Sequence, residues 1–233
     1  RDPEMSRGLG DVYKRQELSD ETRLATLLSP FISLDGINEK GVSIAVLTLD
    51  SKPVRQQSGK PVIATTLAIR LILDRASSTE EAVTLFEKYD MFASSGRDYH
   101  FYVTDSNGDG RVIEYDCNSN DRKLVVTKSP AVTNFFVMYK NFVKPYQKNG
   151  VYGHGRERYD KIINVLEKNN SYTKETAWEA LVSASQAPNP NDITSNTQWS
   201  IVYDNSNLTA DISIRRDWNT VTKYSLKENK ITK

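Results

Sequence analysis

Few residues in this sequence carry groups that do chemistry on their own. There is one cysteine, Cys117, and there are two histidines, His100 and His154. Cys117 follows Asp116 at the end of a strand-like segment with no histidine beside it in sequence, so burial as a small apolar side chain is its expected role. His100 lies inside a strand pattern and is expected to be structural. His154 sits in Gly153-His154-Gly155 ahead of a helical stripe, where it is expected to shape a turn. With a single cysteine and no HExxH, a zinc centre is not expected. GxSxG, GxxxxGK[ST] and GxGxxG are absent, which leaves a nucleophile-elbow hydrolase and a phosphate cradle without support.

One motif imitates a metal site. Asp105-Ser106-Asn107-Gly108-Asp109-Gly110, followed by Val112 and Asp116, matches the spacing of an EF-hand calcium loop. An EF-hand joins two helices, whereas both flanks here alternate as strands, and Asp reaches less far than Glu at the last position. The loop is therefore expected to be a hairpin turn, with Asn107-Gly108 and Asp109-Gly110 as its turn signals.

The elements that must position these groups follow from periodicity. Phe31–Leu49 reads as a hairpin with Asn38 near its tip, because Val42–Leu49 is β-branched and almost wholly apolar. Ile63–Arg75 reads as a buried helix, and Ser78 with Glu81 opens a second one as a capping box. Tyr99–Thr104, Arg111–Tyr115, Lys123–Thr127 and Ala131–Phe136 read as strands. In Arg156–Lys168, Tyr159, Ile162, Ile163 and Leu166 form a helical stripe, and Thr173–Ser185 forms another helix. Trp199–Tyr203, Leu208–Ile214 and Val221–Leu226 close the chain as strands. Helix pairs alternating with strand groups imply a layered α+β fold.

The 233 residues carry 31 Lys+Arg and 30 Asp+Glu, a net charge of +1. That balance argues against nucleic acid and against adhesion to anionic lipid. No run approaches the roughly 20 apolar residues of a membrane span. Residues 1–16 (RDPEMSRGLGDVYKRQ) lack the apolar stretch of a signal peptide and resemble a translated sequencing adapter from an environmental reading frame. The expectation is one domain over residues 17–233, incomplete at its N-terminus, with the natural start upstream of Glu17.

Function enters through Asp35-Gly36-Ile37-Asn38-Glu39-Lys40-Gly41-Val42, which resembles the DGxNEKGL signature of the linear amide C–N hydrolases. Choloylglycine hydrolases, penicillin V acylases, acid-ceramidase-like amidases and the acyltransferase that matures penicillins belong to that group. The resemblance continues in order through Val132-Thr133-Asn134, Gly155-Arg156-Glu157-Arg158-Tyr159-Asp160 and Gln198-Trp199-Ser200-Ile201-Val202-Tyr203-Asp204. It implies an N-terminal-nucleophile hydrolase with an αββα sandwich. It also implies a cysteine nucleophile whose own α-amino group is the base, and no cofactor. In the implied site the Asn38 backbone N–H and the Asn134 side-chain amide donate to the oxyanion, and Arg158 holds the thiolate.

The nucleophilic cysteine and the Arg and Asp that follow it in this group are absent. Cys117 cannot replace it, since cleavage ahead of Cys117 would discard Asn38. The 233-residue chain is therefore expected to be the inactive C-terminal majority of an amidase. Its partner is expected to be a small-molecule acyl amide, with self-assembly left open. An acyltransferase of the same fold and a non-catalytic binding module are the alternatives. Where the bile-salt and penicillin V branches carry Asn-Ser-Pro, this chain has Asn134-Phe135-Phe136, which places it nearer the wider amidase and acyltransferase branch.

Overall fold

The computed structural model describes residues 19–20, 23–24, 32–93, 95–148, 150–169, 171–191 and 196–232. The adapter-like residues 1–16 lie outside the described residues, as does the first residue of the expected hairpin, Phe31.

The first hairpin forms where the apolar run demands it. β1 (Asp35–Ile37) pairs antiparallel with β2 (Ser43–Leu49), Ile37 opposite Ser43. β2 pairs with β5 (Asp98–Thr104), β5 with β6 (Gly110–Tyr115), and β6 with β7 (Leu124–Lys128). The result is one five-stranded antiparallel sheet in the order β1-β2-β5-β6-β7. Alternation then sorts its side chains. Val42, Ile44, Phe101, Val103, Ile113 and Tyr115 face one way and are buried.

A helix pair covers that face. α1 (Thr65–Arg75) contributes Ile69 and Ile72, and α2 (Thr79–Glu87) contributes Ala82 and Phe86, whose ring lies 4.7 Å from that of Phe101. Each fully buried aliphatic or aromatic side chain of this kind stabilises the fold by about 1.5–3 kcal/mol. Ser78 caps α2 by accepting from the Glu81 N–H at 3.1 Å. Glu81 reaches back one residue further than the usual capping box, to the Ser77 N–H and hydroxyl. Two short strands flank these helices, β3 (Val62–Ala64) before α1 and β4 (Asp90–Phe92) after α2, paired parallel. The sequence signal merged β3 into the helix because the two are continuous and apolar.

The second layer is a four-stranded sheet, β8 (Trp199–Asp204), β9 (Thr209–Ile214), β10 (Val221–Ser225) and β11 (Lys230–Thr232), in the order β11-β10-β9-β8. α3 (Arg156–Lys168) and α4 (Lys174–Ala184) pack together, α4 lies against β8, and Lys174 pairs with Asp211 on β9 at 2.9 Å. Helix pair, sheet, sheet, helix pair is the αββα sandwich. No helix among the described residues is long and apolar enough to cross a membrane.

A further strand expectation changes. Ala131–Phe136 is not a strand. Phe135 and Phe136 are fully buried, and the segment bonds to the 152–154 loop instead, through Phe136 N–H to Tyr152 O and His154 N–H to Asn134 O, both 2.9 Å. Period-two alternation alone does not separate a strand from such a pinned loop. His100 is fully buried and hydrogen-bonded to Glu114. The DSNGDG segment is the β5–β6 hairpin turn. Its carboxylates hold the start of α2, with Asp105 accepting from the Thr79 N–H and Asp109 from the Thr79 hydroxyl and Arg111.

Candidate functional site

Three segments converge at the C-terminal end of β2. Val46 donates to Leu34 O on the β1 side, so alternation turns the backbone of Thr48 to the same edge, beyond the point where β1 pairs. Asn134 arrives there from the loop after β7. Its neighbour Thr133 is buried and donates its hydroxyl to Gly155 O at 2.9 Å. Arg158 arrives from the first turn of α3.

The three side chains lock in sequence. Arg158 Nη2 donates to Asn134 Oδ1 at 2.9 Å. A guanidinium can only donate, so it fixes which end of the amide faces it. Asn134 Nδ2 is thereby turned to Thr48, donating to its carbonyl at 3.0 Å, with the Thr48 hydroxyl at 3.3 Å. Burial lowers the pKa of Arg158, opposed by Glu157, yet a guanidinium stays charged at any working pH.

Two glycines make this approach feasible. Gly153 and Gly155 adopt φ of +100° and +85°. A Cβ on Gly153 would overlap Asn134 O, and one on Gly155 would overlap the Arg158 guanidinium. Between them, His154 donates its N–H to Asn134 O, and its Nδ1 lies 2.6 Å from Asp50 Oδ2, two residues past Thr48. The Gly-His-Gly turn therefore ties the Asn134 loop to the end of β2.

Of the three residues expected at the site, Asn134 and Arg158 meet and Asn38 does not join them. Asn38 lies at the opposite end of β2, roughly 20 Å away at strand rise. Its N–H donates to Val42 O at 2.9 Å, and its side-chain amide donates to Leu73 O and Ala76 O at the end of α1. Its Oδ1 accepts from Lys40 and Val42. Asn38 thus closes the hairpin turn and ties it to the end of α1. Thr48 and Asp50 escaped the sequence reading. Only Gly-His-Gly left a visible signal there, as a turn.

Beside the cluster lies a cavity of about 650 Å³ between the two sheets. Arg158 lines it, with Ala45 and Leu47 of β2 on one side, Ile162 and Leu181 from the helix pair on another, and β8 along its length. Among the described strands β8 is an edge, and so is β1. Asp35 bridges the two edges, accepting from the Tyr203 hydroxyl at 2.6 Å and from Trp199 Nε1 at 3.4 Å. Burial, reinforced by the Asp35 charge, pushes the Tyr203 phenol pKa far up, so it remains a donor.

Cys117 is elsewhere. It lies in the turn after β6, two strands across the sheet from β2, roughly 10 Å at strand spacing. It does not line the cavity, and burial pushes its thiol pKa up, away from a reactive thiolate.

A model of the acyl-coenzyme A:6-aminopenicillanic acid acyl-transferase family matches residues 13–218. The fold is similar to that of a variant of the conjugated bile acid hydrolase from Clostridium perfringens, at 16% identity and a TM-score of 0.66 over 86% of this chain and 76% of that one. It is also similar to the penicillin V acylase from Agrobacterium tumefaciens, at 16% identity and a TM-score of 0.66 over 84% of this chain and 67% of that one. No curated protein matches the sequence.

Proposed function

The chain belongs to the acyl-coenzyme A:6-aminopenicillanic acid acyl-transferase family, and on that footing we propose that it forms the body of an enzyme that opens linear amides through an acyl-thioester. The observation that carries this reading is the Thr48–Asn134–Arg158 cluster beside a cavity walled by a strand edge. In this reading the nucleophile is a cysteine on a strand laid along β8, contributed from outside the 233 residues. Cys117, in the turn after β6, does not line the cavity and carries a raised thiol pKa.

The chemistry follows from the donors present. The cysteine's free α-amino group takes the thiol proton, and the thiolate attacks the amide carbonyl carbon. A C–S bond forms and negative charge collects on the carbonyl oxygen. Asn134 Nδ2, already aimed by Arg158, donates to that oxygen. The Thr48 N–H faces the same way as the Thr48 carbonyl and supplies a second donor from the edge. Arg158 also favours thiolate over thiol. The C–N bond then breaks and the amine leaves with the proton held by the α-amino group. Water attacking the thioester gives a carboxylic acid, which is hydrolysis. A second amine attacking it gives a new amide, which is acyl transfer, and the family's description favours weighing this second outcome.

The test uses the chain extended upstream through its cysteine, incubated with an N-acyl amide. Asn134→Ala is expected to lower kcat by about 10²–10³-fold with little change in KM. An unchanged kcat would remove Asn134 from the oxyanion site. Product analysis with an added amine acceptor separates the outcomes, free acid marking a hydrolase and the new amide a transferase.

A further inference from the structure

A fully buried carboxylate lies under the segment that carries Asn134. Glu114, on the inner face of β6, has no exposed surface, and its two oxygens take three donors. Oε1 accepts from the Val137 N–H at 2.7 Å and from His100 Nδ1 at 3.0 Å, and Oε2 accepts from the Met138 N–H at 2.9 Å. Val137 and Met138 open the short 3-10 helix Val137–Phe142, so their N–H groups have no partner within it. His100 Nε2 has no partner among the described residues, which leaves Glu114 as the group that holds the ring.

Burying a carboxylate is costly unless donors surround it. An apolar side chain would fill this position without that cost, but would orphan two backbone donors. What the carboxylate achieves is placement. Asn134, Phe135 and Phe136 run directly into the clamped residues. Phe135 packs edge-on against Tyr159, 5.4 Å between centroids, next to Arg158 on α3. Fixing residues 137–138 therefore fixes the loop that presents the Asn134 amide, and seats the helix turn that orients it.

We infer that Glu114 is a positioning residue for the oxyanion donor, acting through the Val137–Met138 backbone, with His100 bonded to the same carboxylate. The inference rests on the reading of Asn134 as that donor. Its test needs no turnover, so it and the acyl-thioester reading can fail separately.

Glu114→Gln is the informative variant, because a carboxamide has one acceptor oxygen for three donors and sets its own N–H groups against the rest. In the ¹⁵N-labelled chain, the Asn134 side-chain amide gives a pair of signals identified by their loss in Asn134→Asp. Glu114→Gln is expected to speed hydrogen exchange at Val137 and Met138 by roughly tenfold to a hundredfold and to shift or merge the Asn134 pair. Amides of β9 and β10 should stay as they were. His100→Ala keeps both backbone bonds and is expected to move the Asn134 pair less. Unchanged Asn134 signals alongside faster exchange at 137–138 would overturn the inference, since the clamp would then hold only the turn. If Glu114→Gln does not fold, exchange in the unaltered chain decides. Val137 and Met138 protected like the amides of β5 and β6 support the clamp, and unprotected amides overturn it.

Discussion

The amide of Asn134 lies between a group that can only donate, Arg158, and a backbone carbonyl that can only accept, Thr48. Its orientation is therefore fixed before any substrate arrives, which is what an oxyanion donor requires. Arg158→Met would release the amide to flip, and the expected result is loss of the distinct Asn134 side-chain signals with the fold intact. Retention of those signals would show that Thr48 alone sets the orientation. Another residue, Asp109, contributes to acid stability. The Thr79 hydroxyl, with Arg111 and Lys128, holds the Asp109 carboxyl down at about 2, against an ordinary value of 3.8. A depressed carboxyl contributes stability that is complete above the ordinary value and fades as pH falls from about 4 toward 2. Asp109→Asn should flatten the pH dependence of Tm in that window, and an unaltered slope would show that other carboxylates dominate.

At the scale of elements, the site depends on a turn that tolerates no side chain. Gly153→Ala combines positive φ with a Cβ that overlaps the Asn134 carbonyl oxygen and stands 2.6 Å from the Phe135 Cα, both backbone atoms that cannot swing aside. Gly59 also has positive φ, but a Cβ there meets nothing within 4 Å. Gly59→Ala should therefore cost about 1 kcal/mol, from backbone strain alone. Gly153→Ala should cost clearly more, a Tm loss larger by several degrees. Equal losses would mean that the loop shifts freely. This contrast also marks where sequence reading succeeds. Arg156–Lys168 was legible because one amphipathic stripe fixes a helix, and β5–β6 because Asn-Gly and Asp-Gly sit between alternating runs. The Asn134 loop was not legible as a loop, since its partners at 152–154 are fixed by tertiary hydrogen bonds that leave no periodicity. Asn38 drew attention through its motif, yet that motif builds a hairpin. Thr48, further along the same strand, carries no signature, because a backbone edge is invisible in residue types.

At the scale of the whole molecule, a cavity of about 650 Å³ lies between two sheets, and Asp35 joins β1 to β8, each an edge among the described strands. Edges left unpaired among the described residues invite pairing with other chains. The 233-residue chain is therefore expected to aggregate more readily, and to melt lower, than a chain extended upstream. Equal solubility and equal Tm would argue that nothing is seated along β8. In the proposed reaction a cysteine brought to Asn134 and Arg158 carries the acyl group, and Cys117 takes no part. The direct measurement is intact-mass spectrometry of both chains after incubation with an N-acyl amide. A thioester is expected on the upstream cysteine of the longer chain, with no adduct on the 233-residue chain. Acylation of Cys117, or thiol-dependent turnover by the 233-residue chain, would contradict it.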